Sequence, residues 1–295
     1  MSLPTYVVVT PARNEAQFIE LTLKAVASQE VLPLKWVIVS DGSTDGTDDI
    51  VLRYVEKNPW IELVQLPERK ERHFAGKVNA FNHGYAKLEG LQYDAIASLD
   101  ADVSFGPDYF SFLLEKLAAD PSLGLVGTPF RDPSIKLYDY RFVSIEHVSG
   151  ACQVFRRECF TAIGGYTPSK AGGVDHIAVI TARMRGWKTR TFTETFCEHH
   201  RAMGTAQAGK LKANFKVGAL DYALGGHPAW EVFRTLYQMT KKPFIIGGLT
   251  IGFGYLSAAI RGQERPVSPE LVAFRRREQL ARLKNLLRVG VGQGA

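Results

Sequence analysis

Four short apolar runs, each ending in a polar turn and followed by a segment of helical period, constrain this chain more than any other feature. The runs are Tyr6–Val9, Trp36–Val39, Ile61–Leu66 and Ala95–Leu99. Between them, Glu15–Gln29 spaces Phe18, Ile19, Leu21, Val26 and Ala27 as one face of a helix. Thr47 caps a second helix carrying Ile50, Val51, Tyr54 and Val55. A third, Ala75–Leu88, sets Val78, Phe81 and Tyr85 on one side. Apolar runs bury both faces of a strand, and the intervening helices have to cover them. The pattern predicts an α/β fold, a mostly parallel sheet with helices on both faces.

The fourth run ends in two carboxylates, Asp100 and Asp102, separated by Ala101. On extended backbone, positions two apart face the same way. Both carboxylates then meet at the carboxyl end of a strand, where open α/β sheets bind ligands. Two like charges there call for a cation between them. Oxygen ligands suit a hard divalent ion, Mn2+ or Mg2+, that shares its shell with phosphate oxygens. The same tripeptide is also a common turn cap, so its neighbours have to decide.

Those neighbours are polar in the same way. Asp41 follows the second run and can accept hydrogen bonds from a base or ribose, or simply close a turn. Glu15 stands one helical turn beyond the first run. Gly76-Lys77 opens the third helix, where backbone amides and an ammonium suit a phosphate, although a solvated lysine reads the same. No GxGxxG follows the first run and no GxxxxGK[ST] occurs, which weakens the dinucleotide and P-loop readings.

After Phe105 the rhythm changes. A helix is predicted at Tyr109–Ala119, strands at Leu123–Val126, Ala151–Phe155 and Lys188–Phe192, and helices at Glu158–Ile163 and Asp175–Arg185. Phe130–Glu146 shows no clear period. Gly204–Gly225 reads as small and polar, and Trp230–Met239 as helical. Pro243–Ile260 carries no charge over 18 residues. Ser268-Pro269-Glu270 starts a helix that should run to about Arg288.

The chain of 295 residues has three cysteines without CxxC spacing. This argues against a disulfide framework or a structural zinc site and fits a reducing compartment. The first residues show no signal-peptide pattern. Of the net charge of +6, residues 261–295 supply +5, with eight Lys/Arg against three Glu. A basic nucleic-acid surface is therefore not expected.

Four motifs in order, TPARNE at 10–15, VSDGSTDGT at 39–47, GKVNAFNHG at 76–84 and LDADVSF at 99–105, resemble the N-terminal half of family 2 glycosyltransferases of the GT-A fold. Ser149-Gly150-Ala151, Gly164-Gly165-Tyr166 and GGVDHIAVITARMRGWK at 172–188 extend the resemblance to about residue 205. The resemblance implies a nucleotide-sugar half at 1–104 and an acceptor half at 105–205; beyond it, 206–295 is expected to be a helical, basic, membrane-interfacial region. The resemblance also implies that Pro11, Ala12, Glu15 and Asp41 line a base and ribose pocket, with Lys77 near the base or phosphates. Asp100 and Asp102 would hold the metal on the diphosphate, and Asp175 would be the catalytic base. Where the family has Glu-Asp, this chain has Val174-Asp175. Arg201, followed by Gly204, resembles an arginine that clamps the diphosphate, and His199 or His200 is a candidate third metal ligand.

The activity implied is inverting transfer of one sugar from a nucleotide sugar, with uridine the family's commonest base, to an acceptor hydroxyl. The Gln-x-x-Arg-Trp box of processive synthases is missing. A sugar-phosphate nucleotidyltransferase and an inactive binding module of the same fold are the alternatives. Pro243–Ile260 would span about 27 Å as a helix, the lower edge for crossing a bilayer. Sugar nucleotides are cytosolic, and a true span would put the basic tail on the far side, against the positive-inside tendency. The expectation is a cytoplasmic protein, peripheral or monotopic, with 243–260 lying in one leaflet and the last helix resting Arg275, Arg276, Arg277, Arg282, Lys284 and Arg288 on anionic headgroups. A lipid-linked or membrane-proximal saccharide would be the acceptor. A soluble helical subdomain or a homo-oligomer interface is the competing reading of the tail.

Overall fold

The computed structural model describes residues 2–68, 75–131, 144–201 and 209–292. In chain order its elements are β1 (Tyr6–Ala12), α1 (Ile19–Ala27), β2 (Lys35–Asp41), α2 (Thr47–Val55), β3 (Ile61–Leu66), α3 (Ala75–Ala86), β4 (Ala95–Leu99) and β5 (Val103–Ser104). There follow α4 (Tyr109–Ala119), β6 (Leu123–Gly127), β7 (Phe130–Arg131), β8 (Cys152–Arg156), α5 (Arg157–Ala162), α6 (Val174–Met184), β9 (Lys188–Thr191) and β10 (Cys197–His199). The last four are α7 (Lys210–Ala223), α8 (Pro228–Met239), α9 (Ile246–Ile260) and α10 (Pro269–Gly292). Two units result, Met1–Pro168 with Val174–Ala202, and Ser169–Gly173 with Met203–Ala295.

In the first unit a seven-stranded sheet runs β3-β2-β1-β4-β8-β6-β9. β1, β2, β3 and β4 are mutually parallel, whereas β8 runs antiparallel to both β4 and β6. The apolar runs supply two cores because alternate residues face opposite sides. Tyr6, Val8, Trp36, Ile38, Ala97 and Leu99 meet Ile19 and Leu23 of α1, Val51 of α2 and Phe110 and Leu113 of α4. Val7, Val9, Val37, Val39 and Ile96 meet Val78 and Phe81 of α3, Phe160 of α5 and Val179 of α6. Helices thus cover both faces, as the alternation predicts. Gly84 brings α3 close to the sheet: a Cβ there would stand 2.7 Å from Val9 and 2.9 Å from Val39.

A small sheet, β5-β10-β7, was not visible in the sequence. Its strands are two or three residues long, too short to show an alternation. It matters because it ties the segment around His199 to the chain just beyond β4. In the second unit, the small and polar stretch Gly204–Gly225, which the sequence did not delimit further, contains a helix. Residues 210–223 form α7, a helix that its weak apolar periodicity hides and that packing on α9 supports. Gly204 lies outside the described residues. No helix among the described residues is long and apolar enough to cross a membrane.

Candidate active site

The candidate residues of the first half stand at the carboxyl ends of three neighbouring strands. β1 ends with Pro11 and Ala12, β2 with Asp41, and Asp100 follows the last residue of β4. Ala12 pairs with Ser40, and the Asp100 amide donates to the Ala151 carbonyl at 2.9 Å. The rim lies where the antiparallel β8 joins the parallel strands, so the strand ends and the start of β8 face one region.

The loops after β1 and β2 are laced together. Asn14, at φ 54°, accepts from the Thr44 amide through its side chain (2.8 Å), and its own amide donates to the Ser43 hydroxyl (3.1 Å). Asp45 accepts from the Ala16 amide at 3.0 Å and from the Thr47 hydroxyl. Thr47 in turn accepts from the Glu15 amide at 2.8 Å. Burial pushes the Asp45 carboxyl up, but the Thr47 hydroxyl with the Ala16 and Thr47 amides together outweigh it and hold the carboxyl below its usual range. TPARNE and VSDGSTDGT therefore form one rigid edge, with Asp41 and Glu15 both buried.

Asp100, Asp102 and His199 each offer a ligand atom within 4.8 Å of the others. Asp102 is 7% and His199 6% exposed. His199 Nδ1 lies 2.7 Å from the Arg201 carbonyl oxygen, which can only accept, so Nδ1 carries the proton. Its other nitrogen, Nε2, stands 3.5 Å from Asp102 Oδ1. With Asp100 and Asp102 it completes a nitrogen and oxygen donor set that fits a divalent metal ion. His200 is excluded from that role. Its Nε2 is 2.8 Å from the Ser104 hydroxyl, and its ring stacks on Phe18.

Two cations already face the carboxylates. Lys77 Nζ is bonded to Asp100 Oδ1. Burial lowers the Lys77 pKa, but Asp100, with smaller contributions from Asp175 and Asp102, outweighs it and the net shift is upward. Burial likewise pushes Asp100 up, reinforced by Asp102 and opposed by Lys77. Arg201 bridges Glu15 (Nη2–Oε2, 2.5 Å) and Asp102 (Nε–Oδ2, 3.6 Å).

Asp175 begins the first turn of α6, and its side chain lies against Gly150. A Cβ on Gly150 would be 3.0 Å from both Cβ and Oδ2 of Asp175. Gln153 on β8 donates to the Asp175 carbonyl oxygen (3.4 Å) and accepts from the Tyr166 hydroxyl (2.7 Å). Ser104 and Gln153 were not singled out from the sequence, Phe18 entered only as part of a helix face, and Tyr166 only as part of the Gly-Gly-Tyr motif.

An Asp-x-Asp pair after the fourth strand of a mostly parallel sheet, closed by a reversed strand, is the GT-A arrangement. A mannosyltransferase from Pyrobaculum calidifontis, solved with GDP-Man and Mn2+, has the same fold, with TM-score 0.59 and 21% identity over 99% of this chain and 81% of that one. S. aureus TarS 1-349, solved with UDP-GlcNAc, aligns with TM-score 0.57 and 14% identity over 88% of this chain and 74% of that one.

Residues 7–141 match the model of glycosyl transferase family 2. A poly-beta-1,6-N-acetyl-D-glucosamine synthase of Staphylococcus aureus is 34% identical over 117 residues, 39% of this chain and 26% of its own length. The enzyme of the same name from Staphylococcus epidermidis is 24% identical over 246 residues, 75% of this chain and 56% of its own. The chain thus spans about a quarter to a half of the curated relatives it matches.

Proposed function

We propose that residues 1–205 transfer one sugar from a nucleotide sugar, a UDP-sugar first among candidates, to an acceptor hydroxyl with inversion at the anomeric carbon. The observation that carries this reading is the convergence of Asp100, Asp102 and His199 beside Lys77 and Arg201. Three acceptors and two cations suit a metal-bound diphosphate better than they suit each other. Mn2+ or Mg2+ bound there would neutralise the charge that develops on the departing nucleoside diphosphate. Lys77 and Arg201 are placed to exchange their carboxylate partners for phosphate oxygens, while Pro11, Ala12, Glu15 and Asp41 receive the base and ribose. Asp175 takes the proton from the attacking hydroxyl. A single carboxylate base without a covalent intermediate gives inversion.

The relatives' name, a synthase of a poly-N-acetylglucosamine, and the UDP-GlcNAc bound to TarS support an N-acetylhexosaminyl donor, and the acceptor we propose is an envelope saccharide, lipid-linked or membrane-proximal. The test is a thermal-shift panel of nucleoside diphosphates and sugar nucleotides with and without Mn2+. Stabilisation by UDP or GDP only when Mn2+ is present, lost in Asp102→Ala and kept in Asp175→Asn, is the expected result. Release of pyrophosphate instead of nucleoside diphosphate during turnover would favour the nucleotidyltransferase. Full activity of Asp175→Asn would defeat the mechanism.

A further inference from the structure

The second unit presents a surface that the transfer chemistry does not use. α9 is sunk into α7 and α8 by glycines at the crossings. A Cβ on Gly218 would stand 1.9 Å from the Ile251 carbonyl oxygen, one on Gly254 2.1 Å from that of Phe215, and one on Gly248 2.3 Å from that of Thr235. The inward face of α9 is therefore buried, at Ile251, Tyr255 and Ala258 among others. Its outward face is also apolar. Ile246, Leu249, Phe253, Leu256 and Ile260 recur at intervals of three and four and are 53–85% exposed. Phe244 and Ile245, just before the helix, are exposed as well. A continuous stripe of this kind marks a surface that is covered in use.

Charge identifies what covers it. From Gly209 to Gln263 the acidic residues are Asp221 and Glu231, both buried. Arg275 and Arg234 pair with Asp221, and Arg234 also faces Glu231. The exposed charges of that stretch are Lys210, Lys212, Lys216, Lys241, Lys242 and Arg261, all positive. A second copy laid on the stripe would bring these cations against one another. An anionic lipid surface accepts the apolar stripe at its acyl boundary and the ammonium groups at its headgroups. The 15 residues of α9 reach about 22 Å, short of a hydrocarbon core of about 30 Å. One side of the helix is already committed to α7 and α8.

We infer that the outward stripe of α9 docks the protein on an anionic lipid surface, with the helix lying in the interface. Of the basic residues of α10 expected to rest on headgroups, Arg275 is withdrawn, since it is buried and paired with Asp221, whereas Arg277 and Lys284 are exposed. The inference does not depend on the transferase reading, because its readout is lipid binding without donor.

The full chain is floated with vesicles of phosphatidylcholine, with and without phosphatidylglycerol. Binding to the mixed vesicles and little to phosphatidylcholine alone is expected. Leu249→Ser with Phe253→Ser should weaken binding at least about tenfold, since each removes a large inserted side chain. The melting temperature should stay within a few degrees because both side chains face outward. Lys241→Gln with Lys242→Gln should weaken binding to the mixed vesicles further at low salt than at high salt. Failure of the wild-type chain to float with anionic vesicles overturns the inference, as does undiminished flotation of the Leu249/Phe253 variant. So does a lipid-free dimer that this variant dissolves, which would assign the stripe to a second copy.

Discussion

Gly150→Ala tests the placement of the proposed base through a contact rather than by removing it. Gly150 is not in the left-handed region, so alanine suits its backbone. The added methyl would lie 3.0 Å from Asp175 Cβ and Oδ2 and 3.1 Å from Cγ. Carbon atoms rest at about 3.5–4.0 Å, so the Asp175 side chain has to withdraw by about 0.5–1 Å. Misplacement of a reacting group by about 1 Å costs up to about 100-fold in rate. The expected fall in kcat is about 10- to 100-fold, or about 1.4–2.7 kcal/mol of barrier. Stability should change little, because the loss of chain entropy in the unfolded state, about 0.4–1 kcal/mol, offsets part of the crowding. The assay follows nucleoside diphosphate release with a UDP-sugar and a saccharide acceptor, beside calorimetric binding of UDP with Mn2+. Unchanged kcat, or a loss of rate matched by an equal loss of UDP affinity, would refute the argument.

Other perturbations separate the remaining parts. Arg201→Lys keeps the charge but loses the fork that spans Glu15 and Asp102, so affinity for UDP with Mn2+ should fall about tenfold or more, as read by calorimetry. Gly218→Ala would press a methyl onto a backbone carbonyl 1.9 Å away; a cost of about 3 kcal/mol or more should appear as early melting of the second unit. Glu231 is pushed up to about 8 by burial, with Asp221 adding to the rise and Arg234 opposing it. The unfolded chain ionises this carboxyl at its ordinary value of 4.5 while the folded chain holds its proton, so stability falls from about that pH up to about 8. Glu231→Gln should flatten that decline in a melting-temperature profile, and an unchanged slope would count against it.

The parallel half of the sheet was legible because β1, β2 and β4 are buried on both faces and the helices between the strands carry an apolar side. The Asp100–Asp102 pair was legible for the same reason, standing where an apolar run stops. The rest of the site depends on contacts distant in sequence. His199 could not be told from His200 until β10 paired with β5 and turned one ring towards Asp102 and the other towards Ser104. Lys77 read equally as a phosphate ligand and as a solvated lysine, and only the fold brings it to Asp100. The bounds of α7 were not legible within the helical region expected at 206–295, because Gly218 sits in mid-helix where the close crossing with α9 requires it. The basic face assigned to α10 failed at Arg275, because sequence spacing does not show that Asp221 lies opposite it.

The reversal of β8 has a consequence for how such a chain can change. β1, β2 and β4 deliver their last residues to the rim, whereas β8 delivers its first. Segments proposed to receive the donor therefore follow their strands, and the segment bearing Gly150 precedes its own. A loop inserted ahead of β8 would leave the register of β1, β2 and β4 as it is. On the proposed function, one antiparallel strand would let the acceptor side change while the donor side stays the same.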